Sequence, residues 1–84
     1  MEIYSKDKVE IRMRYDVENK KTHGDIYYKK TIPAGKVIGD QFYIDTNFIL
    51  HKGIIKINEV EEVARSCEAL REEIEDYSNM WKQY

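Results

Sequence analysis

Apolar and polar residues alternate strictly near the start of the chain. Over residues 8–17, charged side chains occupy one parity and apolar side chains the other. The apolar parity consists of Val9, Ile11, Met13, Tyr15 and Val17. A period of two over this length predicts a strand with one buried and one solvated face. Ile3 continues the apolar parity, so the strand can begin earlier, with a break near Ser5.

The next segments predict a hairpin followed by a turn. Residues 18–24 are polar and end in glycine, which predicts a loop. Residues 25–32 predict a second strand whose inward set is Ile26, Tyr28 and Ile32. The sequence Pro33-Ala34-Gly35 then predicts a turn, because proline removes a backbone donor and glycine relaxes the backbone.

Further short strands are expected in the apolar region that follows. Their expected positions are residues 36–38, 41–45, 48–51 and 54–57. Together these elements predict a small antiparallel β-meander or a partly open barrel of about four to six strands.

A helix is predicted from Asn58 to the end of the chain. Asn58 is a suitable N-cap, and Glu61 three residues later completes a capping box. No Gly or Pro interrupts residues 58–84, so one long C-terminal α-helix is expected. The fold class is therefore α+β, with residues 1–84 as a single domain made of a sheet (1–57) and a helix (58–84).

An apolar stripe with alternating spacings of three and four residues runs along this helix. Its members are Val60, Val63, Cys67, Leu70, Ile74, Tyr77, Trp81 and Tyr84. Such a heptad pattern is typical of a helix that packs on its own sheet or on a second helix. About 26 helical residues span about 40 Å, whereas a compact chain of this size is about 30 Å across. The far end is therefore expected to overhang and to form a partner interface, and we predict a homo-oligomer, as a dimer.

Charge divides the chain into two parts. Residues 1–57 have a net charge of +3 and residues 58–84 a net charge of −5, within a total of −2. An acidic helix on a mildly basic sheet is the expected arrangement, and its charges can be satisfied within the fold or by a partner.

The residues that most often perform chemistry do not form a recognised motif. His23 and His51 have no second ligand at metal-binding spacing, and Asp40 and Asp45 occupy turn positions. Cys67 lies in the apolar stripe among Glu residues, which favours a core role over a nucleophilic one. The sequence predicts no enzyme, no catalytic or metal site and no cofactor.

The alternative function is binding of nucleic acid or a nucleotide-like anion by the first hairpin. Arg12 and Arg14 are expected on the solvated face of the first strand, and Tyr27 and Lys29 share one parity of the next strand. Arginine beside tyrosine can hold phosphate groups and stack bases. The net negative charge of the whole chain argues against this alternative.

The chain is expected to work in the cytoplasm. It has a single cysteine, no apolar leader and no apolar run that approaches the length of a membrane span. Its short, Lys-, Glu- and Tyr-rich composition resembles small phage or mobile-element proteins, and this resemblance implies a viral protein that binds and blocks a host target. We therefore expect a non-enzymatic inhibitor or regulator of another macromolecule, with an unknown protein as its target.

Overall fold

A computed structural model describes residues 1–45 and 57–82. Five antiparallel strands form one open sheet in chain order. They are β1 (Glu2–Lys6), β2 (Val9–Asp16), β3 (Lys21–Tyr28), β4 (Ile32–Ile38) and β5 (Gln41–Ile44), and the helices α1 (Ile57–Ala69) and α2 (Arg71–Lys82) follow. The α+β class and the antiparallel meander are confirmed. The strand predicted at 48–51 lies outside the described residues, as does most of the one at 54–57, whose last residue, Ile57, begins α1.

The first strand is separate from the second. β1 pairs with β2, so that Tyr4 lies opposite Ile11. The chain reverses direction at Asp7, whose φ of 55° is the left-handed conformation of a tight turn. Ile3 therefore belongs to an edge strand of its own rather than to an extension of β2.

The hairpin between β2 and β3 is tighter than the sequence predicted. The turn occupies residues 17–20, and Val17 is 74% exposed rather than inward. β3 begins at Lys21 and continues through Gly24, which sequence rules placed in a loop. A Cβ atom at Gly24 would collide with the Sδ atom of Met13, so glycine makes room for that core side chain.

The turn predicted at Pro33-Ala34-Gly35 is wrong, because these residues lie inside β4. Ile26 pairs with Gly35, but Tyr27 pairs with Pro33, so Ala34 is the extra residue of a β-bulge. A bulge tolerates proline, since its missing donor is not needed in the ladder there. The chain reverses direction at residues 29–31 instead, with positive φ at Lys29 and Lys30.

The prediction of one long helix is also wrong, since the helix is interrupted at Leu70. The Leu70 amide donates to the carbonyls of both Ser66 and Cys67, at 3.1 Å each. This shared bond mixes α and 3₁₀ geometry without glycine or proline. Beside the break, Arg71 Nη1 donates to the Asp40 carbonyl at 3.1 Å, which ties the start of α2 to the β4–β5 turn. α1 begins at Ile57, so Asn58 lies in its first turn and not at its cap.

Both helices pack on one face of the sheet and form the core with it. The buried apolar residues are Val9, Ile11, Met13, Ile26, Tyr28, Ala34, Val37, Val63, Cys67, Leu70, Ile74 and Tyr77. Val60 and Trp81 are partly buried and pack against the same cluster. The described residues of the stripe predicted from the heptad pattern thus lie on one face of α1 and α2, and that face packs on the sheet of the same chain.

The overhang expected at the far end of the stripe is not observed for the described residues. Ile74 is fully buried, Tyr77 is 5% exposed and Trp81 lies against Tyr15 of β2; Tyr84 lies outside the described residues. The molecule is elongated, with principal extents of 43 × 23 × 17 Å. The predicted overhang compared the helix with a compact, spherical body, and such a body is shorter than this molecule along its long axis. No helix in the described ranges is long and apolar enough to cross a membrane.

Candidate functional site on the outer face of the sheet

The face of the sheet that points away from α1 and α2 is covered by no described element. We call it the outer face. It displays the side chains of Ile3, Ser5, Glu10, Arg12, Arg14, Asp16, Lys21, His23, Asp25, Tyr27, Pro33, Lys36, Ile38, Gln41 and Tyr43. Strand alternation places these residues opposite the buried set.

Arg12 is the most constrained cation on the outer face. Its Nε donates to Glu10 Oε1 at 2.9 Å, and its Nη2 donates to the Lys30 carbonyl at 3.1 Å. The guanidinium also lies 4.1 Å from the centre of the Tyr27 ring. The hydrogen bond to Glu10 raises the pKa of Arg12. These contacts fix a planar cation over an aromatic ring.

Arg14 is also paired, but in a more open position. Its Nη1 donates to Asp25 Oδ2 at 3.1 Å across the β2–β3 ladder. Because solvent reaches both side chains, the pair contributes little to folding stability. Both arginines of the outer face are therefore neutralised by a neighbouring carboxylate.

His23 and Asp16 form a third polar pair. Asp16 accepts hydrogen bonds from the Asn19 side chain at 2.7 Å and from the backbone amides of Glu18 and Asn19. These bonds, the Asn19 side chain first, lower the pKa of Asp16. His23 Nε2 lies 3.6 Å from Asp16 Oδ2, and no hydrogen bond reaches this nitrogen from the described residues.

An apolar patch lies at the β4–β5 end of the outer face. Ile38 is 42% exposed and Tyr43 is 55% exposed. With Pro33 they line a shallow cavity of about 300 Å³, which Asp25 and Lys36 border. Ile3 adds a second apolar position, 56% exposed, on the opposite edge strand.

The residues proposed for anion binding are only partly brought together. Arg12, Arg14 and Tyr27 share the outer face, whereas Lys29 lies in the β3–β4 turn. The Lys29 ammonium lies 5.4 Å from the ring of Tyr28, a buried residue on the helix side of the sheet. The binding role of all four residues stays a prediction.

The predicted interface residues of the helix stripe from Val60 to Trp81 pack against the core of this chain, and Tyr84 lies outside the described residues. Their role in self-association stays a prediction. Ile38 and Tyr43 were missed from the sequence, because their outward direction follows from the pairing of Ile38 with His23 and of Tyr43 with Lys36. The available signal was weak: Ile38 adjoins Val37, so one of the two must face outward.

The other candidate chemical groups do not converge among the described residues. Asp40 and Asp45 lie at opposite ends of β5, about 16 Å apart for an extended strand. Burial raises the pKa of the Cys67 thiol to about 11, which disfavours the nucleophilic thiolate. No three His, Cys, Asp or Glu side chains of the described ranges are placed to hold a metal ion, and His51 lies outside those ranges.

Comparison with protein-family models, with curated proteins and with solved structures found no match.

Proposed function

We propose that this protein is a small non-enzymatic binding protein that inhibits or regulates another protein, and that it binds that protein with the outer face of its sheet. The observation on which this depends is the composition of that face. It combines exposed apolar side chains with arginine and tyrosine, on a sheet whose other face is already packed. Tyrosine and arginine are the residues most enriched where proteins bind one another.

The charge of the outer face favours a protein over a nucleic acid as the partner. The four cations of this face stand against three carboxylates, which leaves a net charge of only +1; the cations are Arg12, Arg14, Lys21 and Lys36, and the carboxylates are Glu10, Asp16 and Asp25. Nucleic-acid binders need a large excess of positive charge to replace counterions, and an excess of one is small. We infer a partner surface with an apolar centre and charges of both signs around it.

The size of the outer face fits a modest interface. Strands about 4.8 Å apart and up to eight residues long give a face of about 20 by 25 Å, or about 500 Å² before side-chain relief. A standard interface buries about 800 Å² on each partner. The flat area is below this value and fits the smaller interfaces of transient complexes, in which binding energy would concentrate in Tyr43, Ile38 and Arg12.

Two variants test the proposal. Each is compared with the wild type, first for capture of proteins from an extract of the native host and then in titrations with purified components. The face variant combines Ile38→Ser with Tyr43→Ser, and the control combines Glu61→Gln with Glu72→Gln on the exposed surface of the helices. We expect one protein to bind the wild type and the control, and to bind the face variant at least tenfold more weakly in a direct titration.

Two outcomes would overturn the proposal. A partner that is lost with the control but kept by the face variant would place the interface on the helices. A dimer in light scattering that dissociates with the face variant would make a second copy the occupant, in place of a foreign target.

A further inference from the structure

A second surface feature, away from the centre of the outer face, has the chemistry of an anion site. A cavity of about 100 Å³ lies where the β2–β3 hairpin meets the end of α2. Tyr15 and Trp81 form its aromatic wall, and Lys20, Lys21 and Lys82 border it. Two separate parts of the chain thus bring three lysines to one opening.

The charged residues that line this cavity are all lysines, and Asp16 lies opposite one of them, Lys21, in the β2–β3 ladder. None of the described residues that line it is acidic, and no ion pair or hydrogen bond joins the three lysine side chains to another described residue. By contrast, Arg12 and Arg14 on the outer face are both paired with carboxylates. The C-terminal end of α2 supplies about half a negative charge, which the three ammonium groups exceed.

The size and the wall of the cavity restrict what can enter. A volume of about 100 Å³ suits a small group of about five heavy atoms. Buried Ser78 adds a hydroxyl to the lining. Lysine binds phosphate as a flexible point charge, so the three residues can close on the group after it enters.

We propose that this cavity binds one phosphate group, with Lys20, Lys21 and Lys82 as its charged contacts and Ser78 as a neutral hydrogen-bond donor. The phosphate is either free inorganic phosphate or the terminal group of a small phosphate monoester. This site is independent of the protein-binding role of the outer face, because neither Ile38 nor Tyr43 lines it.

The fluorescence of Trp81 offers a direct test, because it is the only tryptophan of the chain and lines the cavity. The full chain is titrated with inorganic phosphate and with glycerol 3-phosphate at constant ionic strength, with chloride as the reference salt. We expect a saturable change in emission, together with a rise in the melting temperature that follows the same binding curve. Binding of both compounds identifies a terminal phosphate as sufficient, and binding of inorganic phosphate alone identifies the free anion.

Matched lysine variants separate the site from general attraction to anions. The variant with Lys20→Ala, Lys21→Ala and Lys82→Ala is expected to bind at least about tenfold more weakly. The control with Lys6→Ala, Lys8→Ala and Lys36→Ala removes the same charge from exposed positions elsewhere and is expected to bind as the wild type does. Equal weakening in both variants, or a wild-type response to phosphate no larger than that to chloride, would overturn the proposal.

Discussion

The ring of Tyr15 lies parallel to the indole of Trp81, with centroids 4.4 Å apart and an interplanar angle of 7°. This stack joins the last turn of α2 to the end of β2, and Tyr77 adds a tilted contact to Trp81 at 6.3 Å. Aromatic pairs of this geometry stabilise beyond the area that they bury. The far end of the helical layer is thereby attached to its own sheet.

We predict that Trp81→Ala lowers the free energy of unfolding by about 2–3 kcal/mol, since it removes a large, partly buried side chain and its stacking interaction with Tyr15. Urea denaturation followed by circular dichroism measures this change. Tyr43→Ala is the matched control, because it removes an exposed aromatic side chain and is expected to cost less than about 0.5 kcal/mol. Equal costs for the two variants would contradict the packing described for Trp81.

Ile74→Asp tests whether the stripe is core or interface. Ile74 is fully buried, so an aspartate there places an unpaired charge in the core. The expected cost exceeds about 4 kcal/mol, a large part of the stability of a small domain. We predict a largely unfolded chain by circular dichroism and by its expanded size in gel filtration.

Met80→Asp is the control for this substitution, because Met80 lies in the same helix and is 48% exposed. It is expected to leave the fold intact. If Ile74→Asp instead stayed folded and only halved the particle mass in light scattering, the stripe would be a subunit interface, as the heptad pattern first suggested.

Periodicity predicted the parts of the fold that depend on local pattern. The period of two in residues 9–16 located β2 and its buried face, and the spacing of three and four residues located the packed face of both helices. The same parity argument correctly placed Arg12 and Tyr27 on one face. These features follow from alternation and helical geometry, which a sequence shows directly.

The predictions that were wrong concern features that depend on contacts between distant parts of the chain. Gly24 is a strand residue because Met13 occupies the space of its missing side chain, and Pro33 is tolerated because Ala34 forms a bulge. The break at Leu70 has no helix-breaking residue and lies beside the contact of Arg71 with the β4–β5 turn. None of these relationships leaves a local signature, so neither the bulge nor the strand pairing that turns Ile38 and Tyr43 outward could be predicted.

Among the three glycines that the structure describes, Gly35 is predicted to be the least tolerant of substitution. A Cβ atom there would collide with the Tyr43 carbonyl oxygen and lie 3.0 Å from Ile44 Cα. Because backbone atoms of a paired strand cannot move aside, Gly35→Ala should cost about 2–3 kcal/mol in urea denaturation. A Cβ atom at Gly39 would meet no other atom within 4 Å, but the backbone there has a φ of +64°. We therefore expect Gly39→Ala to cost only about 1 kcal/mol. The reverse order would contradict the pairing of β4 with β5.

Cys67 is predicted to be unreactive until the protein unfolds. Burial raises the pKa of its thiol from 9.0 to about 11. Two pKa units reduce the thiolate fraction about 100-fold at pH 8, and burial limits access further. Iodoacetamide labelling followed by mass spectrometry should therefore be at least 100-fold slower in buffer than in 8 M urea. Rapid labelling of the folded chain at pH 8 would contradict the buried position of Cys67.

The same shift predicts how stability depends on pH. Between pH 9 and about 11 the unfolded thiol loses its proton while the folded thiol keeps it, so the folded state binds more protons and the free energy of unfolding falls as pH rises. Tyr4 and Tyr28, whose pKa values burial also raises, add a decline of the same sign. Cys67→Ala isolates the thiol: its stability should fall less steeply than that of the wild type over this range. Parallel curves would show that Cys67 titrates equally in both states, and therefore that it is not buried.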